Sequence, residues 1–246
     1  MRAAPARFLV FLCGLQACAA PAQPAPERAD PSRVAAQVVL RTNAFRAAQG
    51  RAPVRVDPAL TGAAQRFAEF MASSELYGHE ADGRQPTERA RAEGYEFCTV
   101  AENIAYQYSS LGFGTEELAT LLLEEWEKSP AHRRNMMLPQ VVDIGVGVAR
   151  SSRTQRYFAV QMFGLPRSAA INFDIANRSD AVVQYELDGS TFALPPRVTR
   201  THKGCFVGAL KMLSTDGGTS PGFRPRDGTH YAVVRDQGGV LRLQTN

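Results

Sequence analysis

The apolar residues of this chain change their period once, near Ile171, and that change divides what its two parts can fold into. Before it, apolar side chains recur at helical spacing. Asp30-Pro31 precedes Val34, Val38, Val39 and Phe45, and Asp57-Pro58 precedes Leu60, Ala63, Ala64, Phe67, Phe70 and Met71. Each is a capping aspartate and a first-turn proline ahead of one apolar stripe, and Gly50 closes the first helix. A polar stretch, YGHEADGRQP, puts His79 on a loop, after which a short helix is expected from Pro86 or Thr87 to just before Gly94. Thr115 caps a longer helix through Leu118, Leu121, Leu122 and Trp126, with Glu116 and Glu117 near its positive end. Ser129-Pro130 restarts the chain as another helical turn. Val141 to Ala149 and Arg156 to Phe163 then alternate around SSRTQ as a strand pair should, so helices precede strands in an α+β arrangement. From Ile171 onward the runs INFDI, VVQYEL, STFAL, VTRTH, ALKML, HYAVV and VLRLQ are separated by Asn, Asp, Gly and Pro, the pattern of a small β-sandwich or barrel. The 246 residues leave room for one domain of ordinary size and a small second one.

Residues 1–18 read as an export signal: Arg2 and Arg7, an apolar run from Phe8 to Leu12, and a small-residue end, Leu15-Gln16-Ala17-Cys18. The run is too short for a permanent membrane span. Its end resembles a bacterial lipobox, in which Cys18 would become a lipidated first residue; cleavage after Ala19 or Ala22 is the rival reading. The first places the protein on a membrane as an anchored lipoprotein, the second leaves it free in the periplasm or secreted. Residues 19–32, rich in Pro and Ala, suit an extended tether. Losing the signal removes two arginines and no acid, so the formal charge falls from +4 to +2, which is no nucleic-acid footprint. Hydrophobic residues at 44% and charged residues at 21% describe a globular chain, not a disordered one. After processing only Cys98 and Cys205 remain in the folded part, and an oxidising compartment would pair them; two buried free thiols are the alternative.

Several strings occur in the order of a known family. Asn43 and Arg46 form Asn-x-x-Arg, and Val56-Asp57-Pro58-Ala59-Leu60 introduces the second helix. Gly78-His79, Ala101-Glu102-Asn103-Ile104-Ala105, and Trp126 followed by Ser129-Pro130-Ala131-His132-Arg133-Arg134-Asn135 come next. Gly145-Val146-Gly147 and Tyr157-Phe158 through Gln161-Phe163 close the series. Over residues 33–165 the chain therefore resembles a CAP domain, the fold of cysteine-rich secretory, antigen 5 and pathogenesis-related proteins, in its bacterial form. The resemblance implies an α-β-α sandwich with a surface cleft, followed here by a small all-β module over residues 168–246. It also implies that His79, Glu102 and His132 line the cleft. A second acid often stands three positions after the tryptophan, and here that position is Ser129, which completes the candidate ligand-binding set.

Two neutral imidazoles and a carboxylate suit zinc or a similar divalent ion, with a hydrogen-bonded polar cluster as the plain alternative. A hydrolase reading takes Ser129 as nucleophile, His132 as base and Glu102 as orienting acid. Against it, serine before proline at a helix start is an N-cap whose oxygen backbone amides engage. No G-x-S-x-G is present, and His79-Glu80 fails HExxH because position 83 is glycine. Phe67, Phe70 and Trp126 sit at core spacing more than at that of a groove. Asn103 is expected to satisfy turn backbone groups. These residues favour a non-enzymatic exported binding protein with an unidentified ligand in the cleft. The other two classes are a metal-assisted or serine-type hydrolase and an envelope adaptor acting through the C-terminal β module.

Overall fold

The computed structural model describes residues 28–213 and 218–245. The export signal, Cys18 and most of the tether lie outside the described residues, and no described helix is long and apolar enough to cross a membrane. Helix α1 (Pro31–Ala48) starts at Asp30, whose side chain accepts from the backbone amides of Ser32 and Arg33. Helix α2 (Pro58–Ser74) starts at Asp57, which accepts from Leu60 N, and buries Leu60, Ala63, Ala64, Phe67, Ala68 and Met71 on one stripe. Short α3 (Pro86–Ala92) stops before Gly94, whose φ of 84° is left-handed. Helix α4 (Thr115–Lys128) is capped one residue earlier than expected, at Gly114. The Thr115 hydroxyl instead accepts the Asp30 amide, which ties the start of α4 to the start of α1. Helix α5 (Pro130–Met136) follows at once.

Strands β1 (Arg55–Val56), β2 (Phe97–Gln107), β3 (Asp143–Arg150) and β4 (Tyr157–Pro166) form one sheet in the order β1-β3-β4-β2. Two-residue alternation along β4 divides the core. Phe158, Val160 and Met162 pack with α2 and Ala90 of α3. Ala159 and Phe163 pack on the other side with Val34 and Val38 of α1, Leu118, Leu122 and Trp126 of α4, and Met136 of α5. The sheet is thus covered on both faces, an α-β-α sandwich. Its small residues have a steric reason: a Cβ at Gly145 would overlap the Leu60 backbone, and one at Gly147 the backbone of Ala64 and Gln65. Helix α2 lies directly on β3.

The seven runs after Ile171 become seven strands: β5 (Ile171–Asn177), β6 (Val183–Leu187), β7 (Ser190–Leu194), β8 (Thr199–Gly204), β9 (Leu210–Leu213), β10 (His230–Arg235) and β11 (Leu241–Thr245). They form two sheets, β11-β10-β5-β8 and β7-β6-β9, around Phe173, Ile175, Tyr185, Leu187, Leu194, Leu210, Tyr231 and Val233. Of the two expected architectures this is the sandwich. Cys98, near the start of β2, is bonded to Cys205, just after β8, across 107 residues of sequence. The crosslink joins the first sheet to the second sandwich, and the free-thiol alternative falls away.

Candidate functional site

The site forms along β2, which is an edge strand and would otherwise leave its outer carbonyls unpaired. Side chains cover them. Ile104 O accepts from Tyr77 Oη at 3.2 Å and Trp126 Nε1 at 3.1 Å, and Glu102 O accepts from Asn135 Nδ2 at 3.1 Å. Trp126 is buried in the core, while buried Phe67 and half-buried Phe70 line only a small cavity of about 70 Å³ beside Arg84 and Arg89.

Glu102 and Asn103 are consecutive in the strand and point to opposite faces. The Glu102 carboxylate, only 1% exposed, turns toward α3. There Arg89 Nη2 reaches its two oxygens at 3.0 and 2.9 Å, and His79 Nδ1 lies 2.8 Å from Oε1. The Arg89 guanidinium also donates to Asp82 Oδ1, Arg84 O and His79 O, each at 2.7 Å, and lies 3.6 Å from the centre of the Phe67 ring. It therefore fixes the His79 loop and neutralises Glu102 together. The His79 side chain remains 48% exposed above that pair. Nothing in PTERARA distinguishes Arg89 from Arg91; only closure of the loop on β2 makes it the buried one.

On the opposite face Asn103 is fully buried in the strand and structural, the backbone group it satisfies belonging to α5 and not to a turn. Its Nδ2 donates to His132 O at 3.2 Å and to Gln161 Oε1 at 2.9 Å, and its Oδ1 accepts from Asn135 at 2.9 Å. Gln161 continues to the hydroxyl of Thr42 in α1 at 2.8 Å. This chain of amides holds the His132 turn against β2. Burial, and next the nearby charge of His79, lower the His132 pKa below its ordinary value, so its ring is neutral at pH 7. Its Nδ1 is buried without a hydrogen-bond partner.

His79, Glu102 and His132 thus gather beside the middle of β2, on two sides of the sheet edge. Ser129 stands at the N-cap of α5 as expected, but its side chain makes no capping bond; its backbone alone is used, the amide donating to Glu125 O at 3.1 Å and the carbonyl accepting from Arg133 N at 2.8 Å. No relay from Ser129 through His132 to Glu102 is assembled, because Glu102 is engaged by His79 and Arg89 on the far face. The expected zinc set is not gathered as three ligands: Glu102 is held by Arg89, and among the described residues no three His, Cys, Asp or Glu side chains converge.

A second carboxylate lies further along, at the C-terminal end of β2 and one helical turn before Ser129. Glu125 Oε2 accepts from Gln107 Nε2 at 2.6 Å, and partial desolvation raises its pKa. Burial, then the charge of Glu125, push the Tyr77 hydroxyl up to about 12. Tyr77 and Tyr106 meet edge to face at 5.1 Å, both more than two-fifths exposed. The rim is aromatic, which was not apparent from spacing because the two tyrosines come from different elements.

Residues 39–163 match the sequence profile of the Cysteine-rich secretory protein family. A protein of Bacillus subtilis (strain 168), "Uncharacterized protein YkwD", is 30% identical over 125 residues, 49% of this chain. The match takes in 46% of the Bacillus protein, so the chain spans about half the length of that relative. Among solved structures, an extracellular protein containing a SCP domain from Bacillus anthracis str. Ames shares 22% identity at a TM-score of 0.47, covering 55% of this chain and 41% of that one. An outer surface protein from Borrelia burgdorferi shares 16% at 0.49, covering 57% and 98%. With half of its length matched to the profile and its first sheet packed between two helical layers, the chain belongs to the cysteine-rich secretory protein (CAP) family, in its bacterial form.

Proposed function

We propose that this is an exported, non-enzymatic CAP protein that holds a ligand beside β2, against His79, His132, Ser129 and the aromatic rim. The observation that carries the reading is the pairing of Glu102 with Arg89: the buried carboxylate is engaged by Arg89 and serves as an anchor for His79. His79 and neutral His132 offer the ligand a donor and an acceptor nitrogen, the Ser129 hydroxyl is free of any partner among the described residues, and Tyr77 and Tyr106 offer apolar area. The reading needs no zinc. It places the mature chain beyond the membrane, anchored through lipidated Cys18.

The test uses the full chain expressed with its export segment. Native mass spectrometry of the purified protein is expected to detect a bound small molecule, and His79→Ala/His132→Ala to remove it with circular dichroism unchanged. Fatty-acid labelling lost in Cys18→Ala is expected alongside. An adduct retained by the double variant, or ester or peptide hydrolysis abolished by Ser129→Ala, would overturn the binding reading.

A further inference from the structure

A second surface, remote in sequence from the His79 site, has the features of a peptide-binding edge. Strand β11 pairs with β10 on one side, and no described strand pairs with its other side. Facing that free edge is the segment that bridges to β9 through Phe223 and Leu210 and through Thr219 and Leu213. Between these two walls lies a groove of about 1040 Å³. Its apolar lining includes Phe223, Leu241 and Leu243, with Phe223 37% exposed and its ring 5.3 Å from Tyr231.

The charge of the groove has one sign. Among the described residues Arg224, Arg226 and Arg242 line it and no acid does. Arg242 is matched by Asp236 at 2.5 Å, whereas the guanidinium groups of Arg224 and Arg226 have no partner among the described residues. Two free arginines beside an apolar trough select an anion that also carries apolar side chains. The open backbone edge selects further, because only another polypeptide can continue the ladder of N–H and C=O groups.

We propose that the β11 edge binds an acidic, extended segment of a partner protein, which adds a strand beside Leu241–Thr245. Alternate side chains of that segment would enter the trough beside Phe223 and Leu243, and its carboxylates would meet Arg224 and Arg226. Five residues of β11 span roughly 17 Å, enough for a segment of five or six residues. This site is independent of the reading given for His79 and its neighbours.

The probe is a fluorescent octapeptide alternating glutamate and valine, titrated by anisotropy into the full chain with its disulfide intact. Saturable binding is expected, weakened about tenfold by Arg224→Glu/Arg226→Glu and weakened by salt. Both arginines are exposed, so the variant folds as the parent does, which circular dichroism checks. A peptide N-methylated at every second residue keeps its charge but cannot continue the ladder, and its binding is expected to be lost. Hydrogen exchange should slow at β11 when the parent peptide binds. The proposal is overturned by absence of binding, by equal binding of the N-methylated or the lysine-valine peptide, by indifference to the arginine reversal, or by sedimentation showing a second copy already paired along β11.

Discussion

Arg89 is the residue on which the candidate site turns. Its side chain, 4% exposed, stands between Asp82, 6% exposed, and Glu102, 1% exposed. Removing it leaves Glu102 with only His79 beside it and Asp82 with only the more exposed Arg84 at 3.5 Å, and a poorly paired buried charge is strongly unfavourable. Arg89→Met is expected to lower stability by about 4 kcal/mol in urea denaturation, and Arg89→Lys by about 2 kcal/mol, because a point charge cannot make the forked contacts to Asp82, Arg84, His79 and Glu102 together. The double variant Arg89→Met/Glu102→Leu should lose less than Arg89→Met alone, since it removes one of the poorly paired charges. Additive losses would mean that the pair contributes nothing as a pair. How this residue escaped the sequence has a simple cause. His79, Glu102 and His132 stand in strings that the family shares, whereas Arg89 is one of three arginines in a short polar stretch, and its partners lie 7 and 13 positions away on other elements. Pairings of that kind have no period to detect.

At the scale of elements, the contact of α2 on β3 fixes the spacing of the first sandwich. Gly145 and Gly147 face α2 so closely that a methyl group at either would overlap helix backbone, which cannot rotate away as a side chain can. Gly147→Ala is therefore expected to destabilise by about 3 kcal/mol, at the upper end of overpacking, with the urea midpoint as the measure. A loss under about 0.5 kcal/mol would show that α2 slides on the sheet at little cost. Helices α1, α2 and α3 and the β3–β4 pair were legible because caps, prolines and apolar periods agreed. The seven later strands were legible because turn residues punctuate them. Strand β2 was not read as a strand, since Thr99, Glu102, Asn103 and Gln107 interrupt its alternation. Those interruptions are the site itself: an edge strand has polar work on both faces and along its free side. The cap of α4 moved to Gly114 for a similar reason, as the Thr115 hydroxyl was taken by a contact 85 residues away.

Over the whole molecule, two bodies with separate cores are joined at one corner. The residues of the third core are drawn only from β5–β11, those of the first two only from the preceding part of the chain. The chain crosses between them through a single turn at Arg167–Ala169, where Arg167 N donates to Glu96 O at 2.9 Å. The disulfide between Cys98 and Cys205 closes beside this crossing, with Cα atoms 5.4 Å apart. Crosslinking residues 107 apart removes on the order of 4 to 5 kcal/mol of chain entropy from the unfolded state. Most of that benefit belongs to the C-terminal sandwich, whose core is the smaller and which has no other covalent tie back to β2. Trp126, the single tryptophan, lies wholly inside the first body, so its fluorescence follows that body alone. In the parent protein the urea transitions followed by Trp126 fluorescence and by far-ultraviolet circular dichroism are expected to coincide. In Cys98→Ser/Cys205→Ser the dichroism should gain an earlier transition as the C-terminal strands melt first, while the fluorescence midpoint shifts less. Coincident transitions in that variant would mean that the non-covalent contacts at the corner, and not the disulfide, couple the two bodies.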